Sequence, residues 1–111
     1  MPRQASVLAM VQAIGEPTRF EILRLIRDRE LAAGEIAHKF AVTRPAISHH
    51  LGVLREAGWL QQRRAGTKRL YSIRPEALNE LQDFIDDFWE PRLRRLKRAA
   101  EALERSKKAD E

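Results

Sequence analysis

A chain of 111 residues has room for one modest hydrophobic core and not for two. With 43% hydrophobic and 33% charged residues it suits a water-soluble fold and not a disordered chain. Twenty-one Lys and Arg against 16 Asp and Glu leave a formal charge of +5, which favours an anionic partner, nucleic acid first among them; the sequence holds no cysteine, so thiolate metal sites, thiol nucleophiles and disulfides are excluded.

Residues 5–14 place Val7, Val11 and Ile14 on one helical stripe flanked by Leu8 and Met10, and Gly15 closes the segment. The run weakly resembles a signal-peptide core, but Gln12 interrupts it and Glu16 and Arg19 follow with no cleavage-type ending. No stretch approaches the ~18 apolar residues of a membrane span, so the expected location is cytoplasmic, with no membrane partner. Pro17 then suits the first position of a second helix, whose buried face is expected to combine Phe20, Leu23 and Ile26 with Ile22 and Leu25.

A short third helix in "AAGEIAHKF" turns Ile36, Ala37 and Phe40 inward. After "AVT", Thr43 offers an oxygen as N-cap, Pro45 sits in the first turn of a new helix, and Gly58 stops it. Two helices joined by so short a turn, the second with a polar outer face, form a helix-turn-helix. From Trp59 the pattern becomes that of strands: "WLQQRRAGTKRLYSI" reads as a hairpin with Leu60, Leu70, Tyr71 and Ile73 as anchors and Ala65-Gly66-Thr67 at its tip. A hairpin in that place is a wing.

Pro75 opens a helical segment reaching at least Leu103. Leu78, Leu81, Ile85 and Phe88 form one apolar stripe, and Trp89, Leu93, Leu96, Ala100 and Leu103 form a second, shifted by one residue beside Pro91. Proline inside a helix removes a hydrogen bond and bends the axis, so a kink is expected near Glu90. The fold expected is therefore mainly α with a two-stranded β-hairpin wing: one winged helix-turn-helix domain. Its first helix occupies 5–15, the helix-turn-helix 33–58, the wing 59–74 and a long C-terminal helix 75–105. A chain this short cannot bury so long a helix alone, which points to a dimer.

Charge is unevenly placed. Residues 1–43 are net +1, whereas residues 44–74 hold seven cations (Arg44, Arg55, Arg63, Arg64, Lys68, Arg69, Arg74) against Glu56 alone. Residues 75–90 are wholly acidic among their charges, with Glu76, Glu80, Asp83, Asp86, Asp87 and Glu90, and residues 91–98 answer with five cations. The positive excess thus falls on the second helix of the helix-turn-helix and on the wing, the elements that would meet a duplex, and affinity for it should fall steeply with salt.

His49 and His50 invite a metal or catalytic reading, but adjacent helical residues point about 100° apart. Histidines that share a metal ion on a helix stand three or four apart. No carboxylate is placed to orient a Ser48–His49 pair as a catalytic set, and no enzyme, cofactor or metal site is expected. On the helical wheel Ile47, Leu51 and Leu54 are buried. His50 lies at their edge as a structural histidine, and Ser48 and His49 face outward, where each can bond base edges or phosphates. Gly52, costly in a helix, serves either a close approach to DNA or a tight helix–helix contact.

The stretches "GEPTRFEILRLI", "GEIAHKFAVTRPAISHHLGVLREAGWL" and "RRAGTKRLYSI" resemble the arsenic-repressor (ArsR/SmtB) family of winged-helix transcriptional regulators over roughly residues 10 to 75, and "DFWEPRLRRLK" is similar to one subgroup's ending. The resemblance implies a homodimer, held by the first and last helices, that binds an inverted repeat in double-stranded DNA and represses transcription. DNA contacts are expected from Thr43, Arg44, Pro45, Ala46, Ser48 and His49 and from wing residues Arg63, Arg64, Lys68 and Arg69. Dimer contacts are expected from Val7, Val11, Leu81, Ile85, Phe88, Trp89, Leu93 and Leu96. Where relatives carry a Cys-x-Cys metal pair, this chain has Ala32 and Gly34. Where others bind zinc on the last helix, it has Asp83, Asp86, Asp87 and Glu90 but no histidine. The effector, if there is one, is left open. The alternative to a regulator is a winged-helix protein-interaction module that uses its amphipathic tail, against which the basic wing argues.

Overall fold

The computed structural model describes residues 3–88 and 91–109. In chain order these form α1 (Arg3–Ile14), α2 (Pro17–Leu25), β1 (Leu31–Ala32), α3 (Ala33–Ala37), α4 (Arg44–Glu56), β2 (Leu60–Ala65), β3 (Lys68–Ile73), α5 (Pro75–Asp86) and α6 (Pro91–Ala109). They divide into two compact units between Glu80 and Leu81.

In the first unit α1, α2 and α4 pack together around Met10, Ile22, Ile26, Ile36, Ile47, Leu51 and Leu54, all fully buried. The inward stripe of α1 is Val7, Met10 and Ala13, not the expected Val7, Val11 and Ile14: Val11 is exposed and Ile14 half-buried. The cause is Trp59, itself buried, whose indole Nε1 donates to the Met10 carbonyl at 2.9 Å. That bond satisfies the one polar atom of a large buried ring and fixes which side of α1 faces the core. The expected inward position of Phe20 is also corrected, since it is 47% exposed while Ile22, Leu23 and Ile26 fill the core.

The helix-turn-helix forms where its caps place it. Glu35 reaches back so that its carboxylate accepts the Ala32 N–H at 2.9 Å at the start of α3, and Thr43 Oγ1 accepts the Ala46 N–H at 3.2 Å at the start of α4. At the far end Gly58, with φ +96, takes the left-handed conformation. The Trp59 N–H then reaches the Leu54 carbonyl at 3.0 Å and the Gly58 N–H the Arg55 carbonyl at 3.1 Å, which closes the helix and turns the chain into β2.

The expected two-stranded wing is a three-stranded antiparallel sheet of order β1-β3-β2. β1 pairs Leu31 with Tyr71 and Ala32 with Leu70, tying the middle of β3 to the start of α3. The β2–β3 register runs from Leu60 opposite Ile73 to Ala65 opposite Lys68, and Gly66 supplies the positive φ of the tip.

The single helix expected over 75–105 is two helices, α5 ending at Asp86 and α6 beginning at Pro91; the kink expected near Glu90 falls outside the described residues. Within the second unit Lys97 Nζ meets Asp86 Oδ1 at 2.8 Å, Gln82 donates to the same oxygen at 2.9 Å, and the Phe84 and Phe88 rings meet edge to face at 4.8 Å. Asp86 is therefore paired within the chain, and the Lys97 ammonium holds its carboxyl below the ordinary value. Among the described residues no helix is long and apolar enough to cross a membrane.

Candidate nucleic-acid interface

α4 is positioned by burying Ile47, Leu51 and Leu54, which leaves Ser48 and His49 exposed on the opposite side. Arg44, at its first position, lies exposed against α3, where a Cβ built on Gly34 would stand 3.4 Å from the guanidinium Nη1. Thr43 and Pro45 are exposed beside Arg44 and Ala46 is half-buried. Among the described residues nothing lies within 4 Å of a Cβ built on Gly52, so a tight helix–helix contact between them does not account for that glycine.

Arg44 and Ser48 from α4 share one cleft, of about 320 Å³, with Thr67, Lys68, Arg69 and Tyr71 from the wing. Arg64 and Arg69 stand directly opposite one another across β2 and β3, an arrangement of like charges that costs stability and that an anion would relieve. The cleft brings together six cationic or polar side chains from α4 and the wing. It is shaped and charged to receive a polyanion backbone.

Arg63 departs from this set. Its guanidinium makes a two-pronged pair with Glu30, Nε to Oε2 at 2.7 Å and Nη2 to Oε1 at 2.8 Å. The hydrogen bonds from Arg63 lower the Glu30 carboxyl below its ordinary value and raise Arg63 in return. Arg63, expected at DNA, thus has its charge met within the chain and braces the wing against the loop after α2. Arg74 is likewise structural. Its Nε donates to the Gly58 carbonyl at 2.9 Å and its Nη2 meets Glu80 at 3.1 Å.

His50 is separated from His49 as the wheel predicts. Its Nδ1 lies 3.2 Å from Arg19 Nη1 and 3.9 Å from Glu16 Oε2, and its side chain is 16% exposed. Arg19 Nε also donates to the Ala13 carbonyl at 2.6 Å. Glu16 caps α2 by accepting the Arg19 N–H at 3.0 Å, a bond that draws its carboxyl below the ordinary value. One polar cluster thus joins the end of α1, the start of α2 and the middle of α4. Among the described residues no three His, Asp or Glu side chains are grouped to hold a metal ion.

Of the expected dimer residues, Val7 is 2% exposed and belongs to the protomer's own core, so it is removed from that set. Val11 is exposed on α1 beside Leu8; Ile85, Leu93 and Leu96 are exposed on α5 and α6, and Phe88 in the turn after α5, Phe88 by 72% and Leu96 by 65%. Leu81 is half-buried, and Trp89 lies outside the described residues.

The sequence model described as "Bacterial regulatory protein, arsR family" matches residues 16–61, which run from the cap of α2 into β2. The chain is 41% identical over 78 residues to the HTH-type transcriptional regulator Rv2034 of Mycobacterium tuberculosis, covering 70% of this chain and 73% of that one. It is 35% identical to the transcriptional repressor SdpR of Bacillus subtilis, covering 69% and 86%. A solution structure of the homodimeric winged helix-turn-helix DNA-binding domain Mb0332 from Mycobacterium bovis superposes with a TM-score of 0.62 at 28% identity, covering 77% of this chain and 82% of that one. Similarity of this extent in sequence, together with a matching three-dimensional form, makes the chain a member of the arsR family of bacterial regulatory proteins, a DNA-binding transcriptional regulator built on the winged helix-turn-helix.

Proposed function

We propose that this protein is a transcriptional repressor that binds an inverted-repeat operator as a homodimer. The observation that supports this reading most is the single cleft shared by Arg44 and Ser48 of α4 with Lys68 and Arg69 of the wing. In the proposed complex α4 enters the major groove, where Arg44 pairs with a guanine edge and Ser48 and His49 contact bases or phosphates. Arg64, Lys68 and Arg69 hold the flanking backbone. The interaction is one of binding rather than catalysis.

Dimerisation is supported by the exposed apolar side chains of α1 and the C-terminal helices, which water would otherwise cover, and by the homodimeric state named for the Mycobacterium bovis relative. Two recognition helices would then sit about 34 Å apart, one turn of duplex. Repression is supported by the name of the Bacillus subtilis relative. With no cysteine in its 111 residues, the protein does not sense metals through thiolates.

Selection of bound duplexes from a random-sequence pool tests the proposal. An inverted repeat with half-sites one helical turn apart is expected; enrichment of a single unrepeated site would overturn dimeric readout, and no enrichment would overturn sequence-specific binding.

A further inference from the structure

The first 43 residues are nearly neutral in sum, yet the structure distributes their charges unevenly. Three of their five acidic side chains are engaged elsewhere: Glu16 caps α2, Glu30 holds Arg63, and Glu35 caps α3; Asp28 is exposed between Arg27 and Arg29. The cations collect instead along a groove of about 350 Å³ between α2 and the end of α3, lined by Arg24, Arg27, Arg29 and Lys39 over a floor of Leu25 and Phe40. Glu21 is its one carboxylate, paired with Arg24 at 3.3 Å. Arg29 Nε is held by the Leu25 carbonyl at 3.0 Å, which leaves its remaining N–H groups available. Arg27 and Lys39 are exposed and have no ion-pair partner among the described residues.

From this groove we infer a second DNA-contacting surface that takes the phosphate backbone beyond the base pairs read by α4. The inference rests on the DNA-binding reading above. Two observations point to duplex phosphate as the occupant. The groove has the net positive charge of a polyanion site without a base-reading face. It also adjoins the recognition helix, because Lys39 and Phe40 lead through only the 41–42 turn to Thr43, the N-cap of α4. In helix-turn-helix docking the helix before the recognition helix crosses the backbone, and Lys39 stands just past the end of that helix. Contact there lengthens the stretch of duplex that each protomer covers. It adds affinity without adding sequence preference.

The test compares wild type with Arg27→Gln/Lys39→Gln on a duplex selected from a random pool, used both trimmed to the selected repeat and extended by about ten base pairs on either side. On the extended duplex the double variant should show a log-log salt slope shallower by about 1.8 per protomer, two contacts at about 0.9 each, and should lose the affinity that flanking DNA adds. On the trimmed duplex it should match wild type, and the charge-conserving Arg27→Lys/Lys39→Arg should match wild type on both. Equal slopes and equal gain from flanking DNA in wild type and the glutamine variant would overturn the inference. If Arg44→Ala weakens binding while the glutamine variant does not, only the groove's role falls; if wild type binds neither duplex in a salt-dependent way, the groove and the DNA reading fall together.

Discussion

Arg19 Nη1 stands 3.2 Å from His50 Nδ1, so the recognition helix is tied to the junction of α1 and α2 by a side chain that its neighbour His49 does not share. His50→Ala should lower stability by about 1 kcal/mol, because a partly buried guanidinium loses a partner. His49→Ala, on the exposed side, should leave stability unchanged and reduce DNA affinity. Denaturant unfolding and fluorescence anisotropy on the same two variants separate the roles; equal stability loss in both would contradict the division.

The Glu30–Arg63 pair gives a pH dependence whose sign follows from the lowered Glu30 carboxyl. A carboxyl depressed in the folded state stabilises that state above its ordinary value of 4.5 and loses the contribution as pH falls below it. Glu30→Gln should therefore melt lower than wild type at pH 7, and the gap should close under acid conditions. Because Arg63 is already neutralised, Arg63→Ala should change the salt dependence of DNA binding less than Lys68→Ala does.

Trp59 is buried and its indole N–H is bound to the Met10 carbonyl. Trp59→Phe keeps much of the packing but removes the indole bond to the Met10 carbonyl, a net cost of about 0.5–1.5 kcal/mol. A midpoint of urea unfolding equal to wild type would show that the bond contributes nothing net.

A methyl at Gly52 meets open space within the protomer, so Gly52→Ala should raise stability by about 1 kcal/mol through helix propensity. If DNA passes close to this turn of α4, the same variant should bind the selected duplex more weakly. Stability gained with affinity unchanged would place the backbone away from the DNA.

Leu96→Glu puts a charge on an exposed apolar position of α6 and should give monomers in sedimentation velocity. A variant that sediments as wild type would move the interface elsewhere.

Much of this architecture was legible in the sequence because local chemistry dictates it. Thr43 and Pro45 announce the start of α4 and Gly58 its end, and the period change at Trp59 announces the hairpin. The two residues of β1 carry too little pattern to be read, since their strand exists only through pairing with Tyr71 and Leu70. The inward face of α1 is hidden in the sequence for a similar reason: its apolar residues are spread around the helix, and a distant partner, Trp59, decides between faces. At the site, Arg44, Ser48, Lys68 and Arg69 could be read from type and position, whereas the capture of Arg63 by Glu30 joins residues 33 apart. No local spacing could reveal it. The groove beside α3 was hidden because counting charge by segment adds carboxylates that the fold turns away from it.

The central claim, that α4 and the wing read duplex DNA, is tested most directly by measuring Arg44→Ala affinity for the selected repeat and for a scrambled duplex of equal length. The account predicts a loss of about 1–3 kcal/mol on the repeat, roughly five- to 150-fold, with a much smaller change on the scrambled duplex. An unchanged ratio between the two duplexes would contradict it.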